Sequence, residues 1–453
     1  MKNMRYEFTA EADAILRPVF DKEKVKKGTL RLEPGADRLT LLVGLGEKEK
    51  LNSATVREVF FAIPGELCKY EVDKALLEGL EDPALIAAAF EGLWMGNYVF
   101  SRYKKDELAD KRLKVLAVQE VEGLKERLEE SEGLMESADF TRYLVNSRAI
   151  DLYPETLAQL AKEELEPLGV EVEILGRDKA EELGLKAFLA VAEGSDKEPQ
   201  VIVAKYTGAG DAPYGALIGK GLTYDSGGYD IKPGSGMFTM FGDMAGAATV
   251  LGAIRAVAAS KLEKNVVAVV LACENMVDGS AYKNGDIISS HLGKTIEIES
   301  TDAEGRLTLA DALSYTEEAF APSYMVDVAT LTGAVVVALG DVAAGAVTNN
   351  EELMKDVLAA ADQADELIWE FPAYEAYKEQ YKSKFADLKN TGGRGAGTIT
   401  AGLFLGEFVK DTPWVHLDVA GVTYRSDKAK PPYPMGASGF GVHALYRLVK
   451  NRE

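Results

Sequence analysis

The sequence predicts an α/β protein: a larger C-terminal domain with a mixed, largely parallel sheet flanked by helices, and a smaller α/β N-terminal domain before it. Three observations carry this expectation. The chain has 453 residues, too many for one ordinary core, since domains run at roughly 100–200 residues. From Asp151 onward, short apolar runs alternate with helical stretches, the pattern of strands covered on both faces. A charged, proline-free segment from Glu122 to about Ser137, running on to Asn146, reads as a helix between the two parts. The N-terminal domain is therefore placed at 1–130, the connecting helix at 131–150 and the C-terminal domain at 151–453.

Taken in order, RLTLLVGLG (38–46) and REVFFAIPG (57–65) read as short buried strands with glycine stops. Apolar positions then recur every three or four residues from Asp82 to about Lys105, which predicts a helix. RLKVLAVQE (112–120) is another strand candidate. In the C-terminal part the strand runs are VEVEIL, PQVIVAKY, YGALIGKG, NVVAVVLAC, YMVDVAT and TPWVHLDVAG. No internal repeat or low-complexity tract interrupts them.

Hydrophobic residues make up 47% and charged ones 27%, the balance of a globular rather than a disordered chain. The N-terminus has no signal-peptide h-region. No apolar run reaches the roughly 18 residues that a membrane helix needs, so no membrane role is expected. The formal net charge of −22 repels phosphate backbones and argues against nucleic acid as a partner. The two cysteines, Cys68 and Cys273, sit in apolar contexts and read as buried thiols, which suits a reducing cytoplasm.

Three stretches carry chemistry. GKGLTYDSGGYDIKP (219–233) brings Lys220, Asp225 and Lys232 into one glycine-rich turn after an apolar strand. MFGDMAGAA (240–248) sets Asp243 before a small-residue helix. STDAEGRLTLADAL (300–313) places Asp302, Glu304 and Arg306 at alternate positions, so in an extended or turn-like segment they face one way. Singly, each has a plainer explanation. Asp-Ser-Gly-Gly makes a tight turn, Asp243 can cap a helix, and Glu304 with Arg306 can form a surface ion pair of little worth. A phosphate loop is argued against by the absence of the G-x-x-x-x-G-K-[ST] spacing. Together, however, four acidic residues and two lysines in apolar surroundings are costly to bury unless a cation compensates them. Carboxylates without histidine favour divalent ions that accept oxygen ligands: zinc, manganese or magnesium.

These three stretches together resemble the leucyl (cytosol) aminopeptidase family, whose hallmark octapeptide is Asn-Thr-Asp-Ala-Glu-Gly-Arg-Leu. The likeness continues through CENMVDGSAYKNGD (273–286), DVATLTGA (327–334), FADLKNTGGRGAGTITAG (385–402), HLDVAG (416–421) and GASGFGV (436–442). It extends to LVNSRAIDLYPETLA (144–158) and, more faintly, to EGLWMGNYVFSRYK (91–104).

The resemblance implies a metallo-exopeptidase with two divalent metal ions per subunit. Lys220, Asp225, Asp243 and Glu304 would hold the tighter ion; Asp225, Asp302 and Glu304 would hold the more exchangeable one. Lys232 would stabilise an oxyanion, and Arg306 would hold a bicarbonate that relays protons. Met240, Thr330, Leu331 and Gly333 would line the pocket for the first, leucine-like side chain. The family likeness further implies a cytoplasmic homohexamer acting on short peptides with a free N-terminus. Ser300 stands where the hallmark has asparagine, and Gly242 where relatives often carry a bulkier residue. His291, His416 and His443 lack the spacing of a metal pair and read as structural. The competing expectations are a two-metal phosphoesterase, and a scaffold or DNA-binding regulator without peptidase activity.

Overall fold

The computed structural model describes residues 4–20, 26–33, 38–105 and 107–452. Two compact units emerge: Met1–Asp139 with Arg425–Ser438, and Phe140–Tyr424 with Gly439–Glu453.

The first unit holds strands β1 (Arg5–Phe8), β2 (Ala14–Phe20), β3 (Leu30–Leu32) and β4 (Leu39–Gly46). Helices α1 (Ser53–Phe60) and α2 (Ile63–Leu67) follow, then β5 (Lys74–Leu77), α3 (Pro83–Asn97) and β6 (Val115–Val118). The sheet order is β1-β6-β5-β2-β4-β3, with only β3 antiparallel to its neighbour. The strand expected over 57–65 is instead α1 and α2. Asn52 caps α1 by accepting from the Thr55 amide at 2.9 Å. Val56, Phe60, Ile63 and Leu67 are all buried, a helical spacing that the short FFAI run conceals. The helix expected to reach Lys105 ends at Asn97, where Tyr98 turns extended. The Arg57 guanidinium and the Glu91 carboxylate form a buried ion pair at 2.6 Å, and Ser131 Oγ donates to the other Glu91 oxygen at 2.7 Å.

Helix α4 (Leu124–Asn146) begins before the segment expected as a connecting helix, 131–150, and ends four residues short of it. The second unit continues with α5 (Pro154–Leu165), β7 (Glu171–Leu175), α6 (Arg177–Glu182), α7 (Lys186–Ala192), β8 (Gln200–Thr207) and β9 (Gly215–Asp225). After these come α8 (Gly234–Met237), α9 (Ala245–Ala259), β10 (Asn265–Asn275), β11 (Ile287–Ser289), β12 (Thr295–Glu297) and α10 (Glu304–Phe320). Next are β13 (Tyr324–Ala329), α11 (Gly333–Leu339), β14 (Ala344–Thr348), α12 (Glu351–Ala364) and β15 (Ile368–Glu370). The last labelled elements are β16 (Leu388–Lys389), α13 (Gly397–Gly406), β17 (Trp414–Asp418) and α14 (Val442–Asn451).

An eight-stranded sheet runs β15-β14-β17-β13-β9-β10-β8-β7. Its middle strands β17, β13, β9 and β10 are parallel, while β8, β7 and β14 pair antiparallel toward the edges. The sheet is thus mixed, with a parallel centre. Every residue of β10 is buried, because helices cover both faces. Val267, Val269, Leu271 and Cys273 join one core with α7 and α10; the alternate residues face α9. Cys273 is buried as expected, but Cys68 is only partly so, and both thiols are free.

Met240–Ala259 is 20 residues long and apolar enough by composition to cross a membrane, but 89% of its most apolar stretch is buried inside the fold. It is the central core helix with its lead-in turn.

Glycines let α9 lie directly on the sheet. A Cβ on Gly246 would come within 2.0 Å of the Val328 carbonyl oxygen, and one on Gly219 within 2.5 Å of Ala247 Cα. Neither neighbour is a flexible side-chain end, so backbone must move. We expect Gly246→Ala to cost about 3 kcal/mol, the upper part of the overpacking range, read as a lowered thermal midpoint. A variant as stable as the parent would contradict this close packing.

Candidate metal centre

Parallel strands whose order brings β17, β13, β9 and β10 together point their C-terminal ends at one edge of the sheet, where such folds place their ligands. Lys220 and Asp225 lie on β9, Asn275 ends β10, Thr330 follows β13, and Asp418 ends β17. The remaining candidates enter from loops and helix starts at that same edge.

Lys220 is 3% exposed and its Nζ lies 2.8 Å from Asp243 Oδ2 and 2.9 Å from Glu304 Oε1. The same ammonium donates to the Thr330 carbonyl at 3.0 Å. Gly305, one residue into α10, allows this approach: a Cβ there would sit 2.5 Å from Lys220 Cε. The second ammonium, Lys232, bridges Asp225 Oδ2 at 2.7 Å and Asp302 Oδ1 at 2.5 Å. Asp225, Asp302 and Glu304 each offer an oxygen within 4.8 Å of the others. Glu304 Oε2 is buried with no hydrogen-bond partner, as expected for a carboxylate shaped to meet a cation.

The simpler explanations of the three stretches are incomplete. Asp-Ser-Gly-Gly does turn, with Gly227 at φ +88° and Gly228 at φ +63°. The turn serves the carboxylate, since the Gly227 amide donates to Asp225 Oδ1 at 2.9 Å. Asp243 does not cap α9, whose first flanking residue is Met244; Thr330 Oγ1 donates to Asp243 Oδ1 at 2.8 Å. Glu304 is 2% exposed, so it makes no surface pair. Nor is 302–306 extended: α10 begins at Glu304, and Arg306 reaches away to donate to the Asn390 carbonyl at 2.6 Å.

Sequence reasoning missed several supporting groups. Asn275 Nδ2 donates to Asp225 Oδ1 at 2.8 Å and to the Thr301 carbonyl at 3.0 Å, and only its place in CENMVDG signalled it. Asn390 ties the hallmark segment down, donating to the Ser300 carbonyl at 2.6 Å and accepting from the Ser300 amide at 3.2 Å. Ser300 itself accepts from the Asp302 amide at 3.2 Å, a local turn that its short hydroxyl can close. Met240 opens a short 3-10 turn, Leu331 and Thr332 donate backbone amides to Asp418, and Gly333 starts α11. Gly242 leaves its wall bare: a Cβ there would meet only Val145 within 4 Å. His416 is buried against Asp327 Oδ1 at 2.6 Å, and His291 Nδ1 meets Ser314 Oγ at 3.2 Å.

The electrostatics follow from burial against charge. Burial raises Asp243 to about 7, with Lys220 opposing, and raises Asp302 to about 6, with Lys232 opposing. Burial also raises Asp225, helped by Glu304 and resisted by the two lysines. For Glu304, burial raises but Lys220 and Lys232 outweigh it, so its carboxyl lies below the usual range. Burial lowers Lys220, yet Asp243, Glu304 and Asp225 together carry it upward. Burial lowers Arg306 to about 10 against the pull of Glu304 and Asp418.

A cation entering this cluster must displace protons. At neutral pH the free site keeps the Lys220 proton and part of one on Asp243, whose pKa is about 7. Apparent affinity for a divalent ion therefore rises as pH rises through this region. Calorimetric titration with manganese in buffers of different ionisation enthalpy should show net release of roughly one proton or more per chain at pH 7. Binding without proton release would contradict the cluster's charge state.

Comparison with known proteins places the fold in a family. The catalytic domain of the cytosol aminopeptidase family matches residues 139–446, and its N-terminal domain matches residues 27–107. A probable cytosol aminopeptidase of Clostridium tetani is 50% identical over 420 residues, covering 90% of this chain and 87% of the relative. One from Treponema denticola is 46% identical over 421 residues, covering 90% and 88%. The solved structure of the bottromycin maturation enzyme BotP in complex with Mn superposes with a TM-score of 0.90 at 30% identity, over 97% of this chain and 99% of that one. With both family models matched and relatives this similar along most of their length, the chain belongs to the cytosol aminopeptidase family of metallo-exopeptidases.

Proposed function

We propose that this chain removes the N-terminal residue, leucine-like by preference, from short peptides, using two divalent cations of zinc, manganese or magnesium. The observation that carries the reading is the pairing of two ammonium groups with four carboxylates at the strand ends. Such a cluster is a cation site that its own lysines neutralise. Lys220, Asp225, Asp243 and Glu304 would hold one ion, and Asp225, Asp302 and Glu304 would hold the other. When bound, the pair supplies Lewis acidity, lowering the pKa of a water and polarising a carbonyl.

The chain's own groups do the rest. Lys232, 17% exposed and the more open of the two lysines, keeps its proton and donates to the developing oxyanion once cations engage Asp225 and Asp302. Arg306, whose Nε is buried without a hydrogen-bond partner, holds the bicarbonate to which the proton relay is assigned. Met240, Thr330, Leu331 and Gly333 wall the pocket for the first side chain. The same family reading makes the assembly a cytoplasmic homohexamer.

Chelated protein should regain cleavage of leucine-p-nitroanilide on addition of manganese or zinc, and should leave the N-acetylated analogue intact. Equal cleavage of both compounds, or none of either with any metal, would contradict the reading. Lys232→Ala should lower kcat about 100- to 1,000-fold, the cost of losing one oxyanion donor, with KM little changed. Steady-state kinetics checks it, and unaltered kcat would remove Lys232 from the role.

A further inference from the structure

The turn after β13 touches the metal centre twice. The Thr330 carbonyl accepts from Lys220 Nζ at 3.0 Å, and Thr330 Oγ1 donates to Asp243 Oδ1 at 2.8 Å. That turn leans on one buried carboxylate. Asp418, 0% exposed, lies opposite Ala329, the last residue of β13, in the parallel register of β17. Its Oδ1 accepts from the Leu331 amide at 3.2 Å, the Thr332 amide at 3.4 Å and the Ala420 amide at 3.3 Å. Its Oδ2 accepts from Thr332 Oγ1 at 2.5 Å.

This last bond orders its neighbours. A hydroxyl has one proton, so Thr332, having given it to Asp418, must accept from Thr398 Oγ1 at 3.0 Å and from the Val335 amide at 3.1 Å. The Val335 bond is also the N-cap of α11. A single carboxylate thus fixes the turn, the start of a helix and a contact to α13.

We propose that Asp418 is a positioning residue for the metal centre: by holding residues 330–332 it aims the Thr330 carbonyl at Lys220 and the Thr330 hydroxyl at Asp243. Asp418 is assigned no contact of its own with substrate or cation. Its work is to keep two ligand groups oriented, as outer partners of metal ligands generally do. In Asp418→Asn one oxygen still accepts from the backbone amides, but the amide nitrogen in place of Oδ2 can no longer accept from Thr332 Oγ1, so the hydroxyl bonds that fix the turn must rearrange and the Thr330 groups shift from Lys220 and Asp243.

The inference rests on the two-cation reading above. The experiment is manganese titration of the chelated full-length protein, with free ion followed by electron paramagnetic resonance and folding by circular dichroism. Failure of the parent protein to bind manganese would overturn that reading and this inference with it. With the parent binding, Asp418→Asn should weaken affinity roughly 10- to 100-fold; a folded Asp418→Asn with parental affinity overturns the proposal. Should Asp418→Asn not fold, Thr332→Val and Thr332→Ser decide. Val keeps the volume but lacks the proton for Asp418, whereas Ser supplies it. Affinity weakened in Thr332→Val and retained in Thr332→Ser supports the proposal, and equal affinity in both overturns it.

Discussion

The structure of the second unit depends on how two ammonium groups, Lys220 buried and Lys232 partly so, are held among four carboxylates, of which Asp302 alone is exposed. Lys220 and Asp243 are 3% and 5% exposed, and Asp225 and Glu304 2% each. Isolated charges at this depth would cost several kcal/mol apiece, so the ammonium groups and most of the carboxylate oxygens are partnered, with Glu304 Oε2 left over. The fold meets that demand with backbone. Strand ends deliver the charged side chains, glycine amides and carbonyls satisfy them, and helices α9 and α10 approach closely because Gly246 and Gly305 have no side chain to keep them away. Replacing any one partner would leave a buried charge without its counterpart.

Charge counting explains why this arrangement suits cations. Four carboxylates face two lysines, which leaves two negative charges uncompensated if all are ionised. The free site relieves the imbalance by protonation, which is why burial carries Asp243 and Asp302 to about 7 and about 6. Two divalent ions bring four positive charges, enough to balance the carboxylates alone. Lys220 can then give up its proton and act as a neutral ligand. On the proposed reading, the same step would free Lys232 from Asp225 and Asp302 to serve the substrate.

Much of this was legible in the chain. The apolar runs of β8, β9, β10, β13 and β17 announced buried strands, since continuous burial removes the polar alternation of a half-exposed sheet. The connecting helix was legible from its charge and lack of proline. The run at 57–65 was not, because a short apolar stretch has the same look in a buried helix and a buried strand; only the wider spacing of Val56, Phe60, Ile63 and Leu67 separates them. At the site, residues with charge were visible and those that hold them were not. Asn275, Asn390 and Asp418 act through distant backbone, and nothing local in the sequence tells an orienting amide or carboxylate from an ordinary one. Alternate spacing also misled for Arg306, because α10 begins at Glu304 and turns the guanidinium toward Asn390.

The most direct test of the central claim is a crystal structure of the manganese-soaked protein, with anomalous difference maps recorded at the manganese edge. The account predicts two peaks per chain among Asp225, Asp243, Asp302 and Glu304, with Lys220 in contact with one of them and Lys232 in contact with neither. Peaks confined to other surfaces, or Lys220 and Lys232 keeping the ion pairs of the free site with no peak beside them, would contradict it.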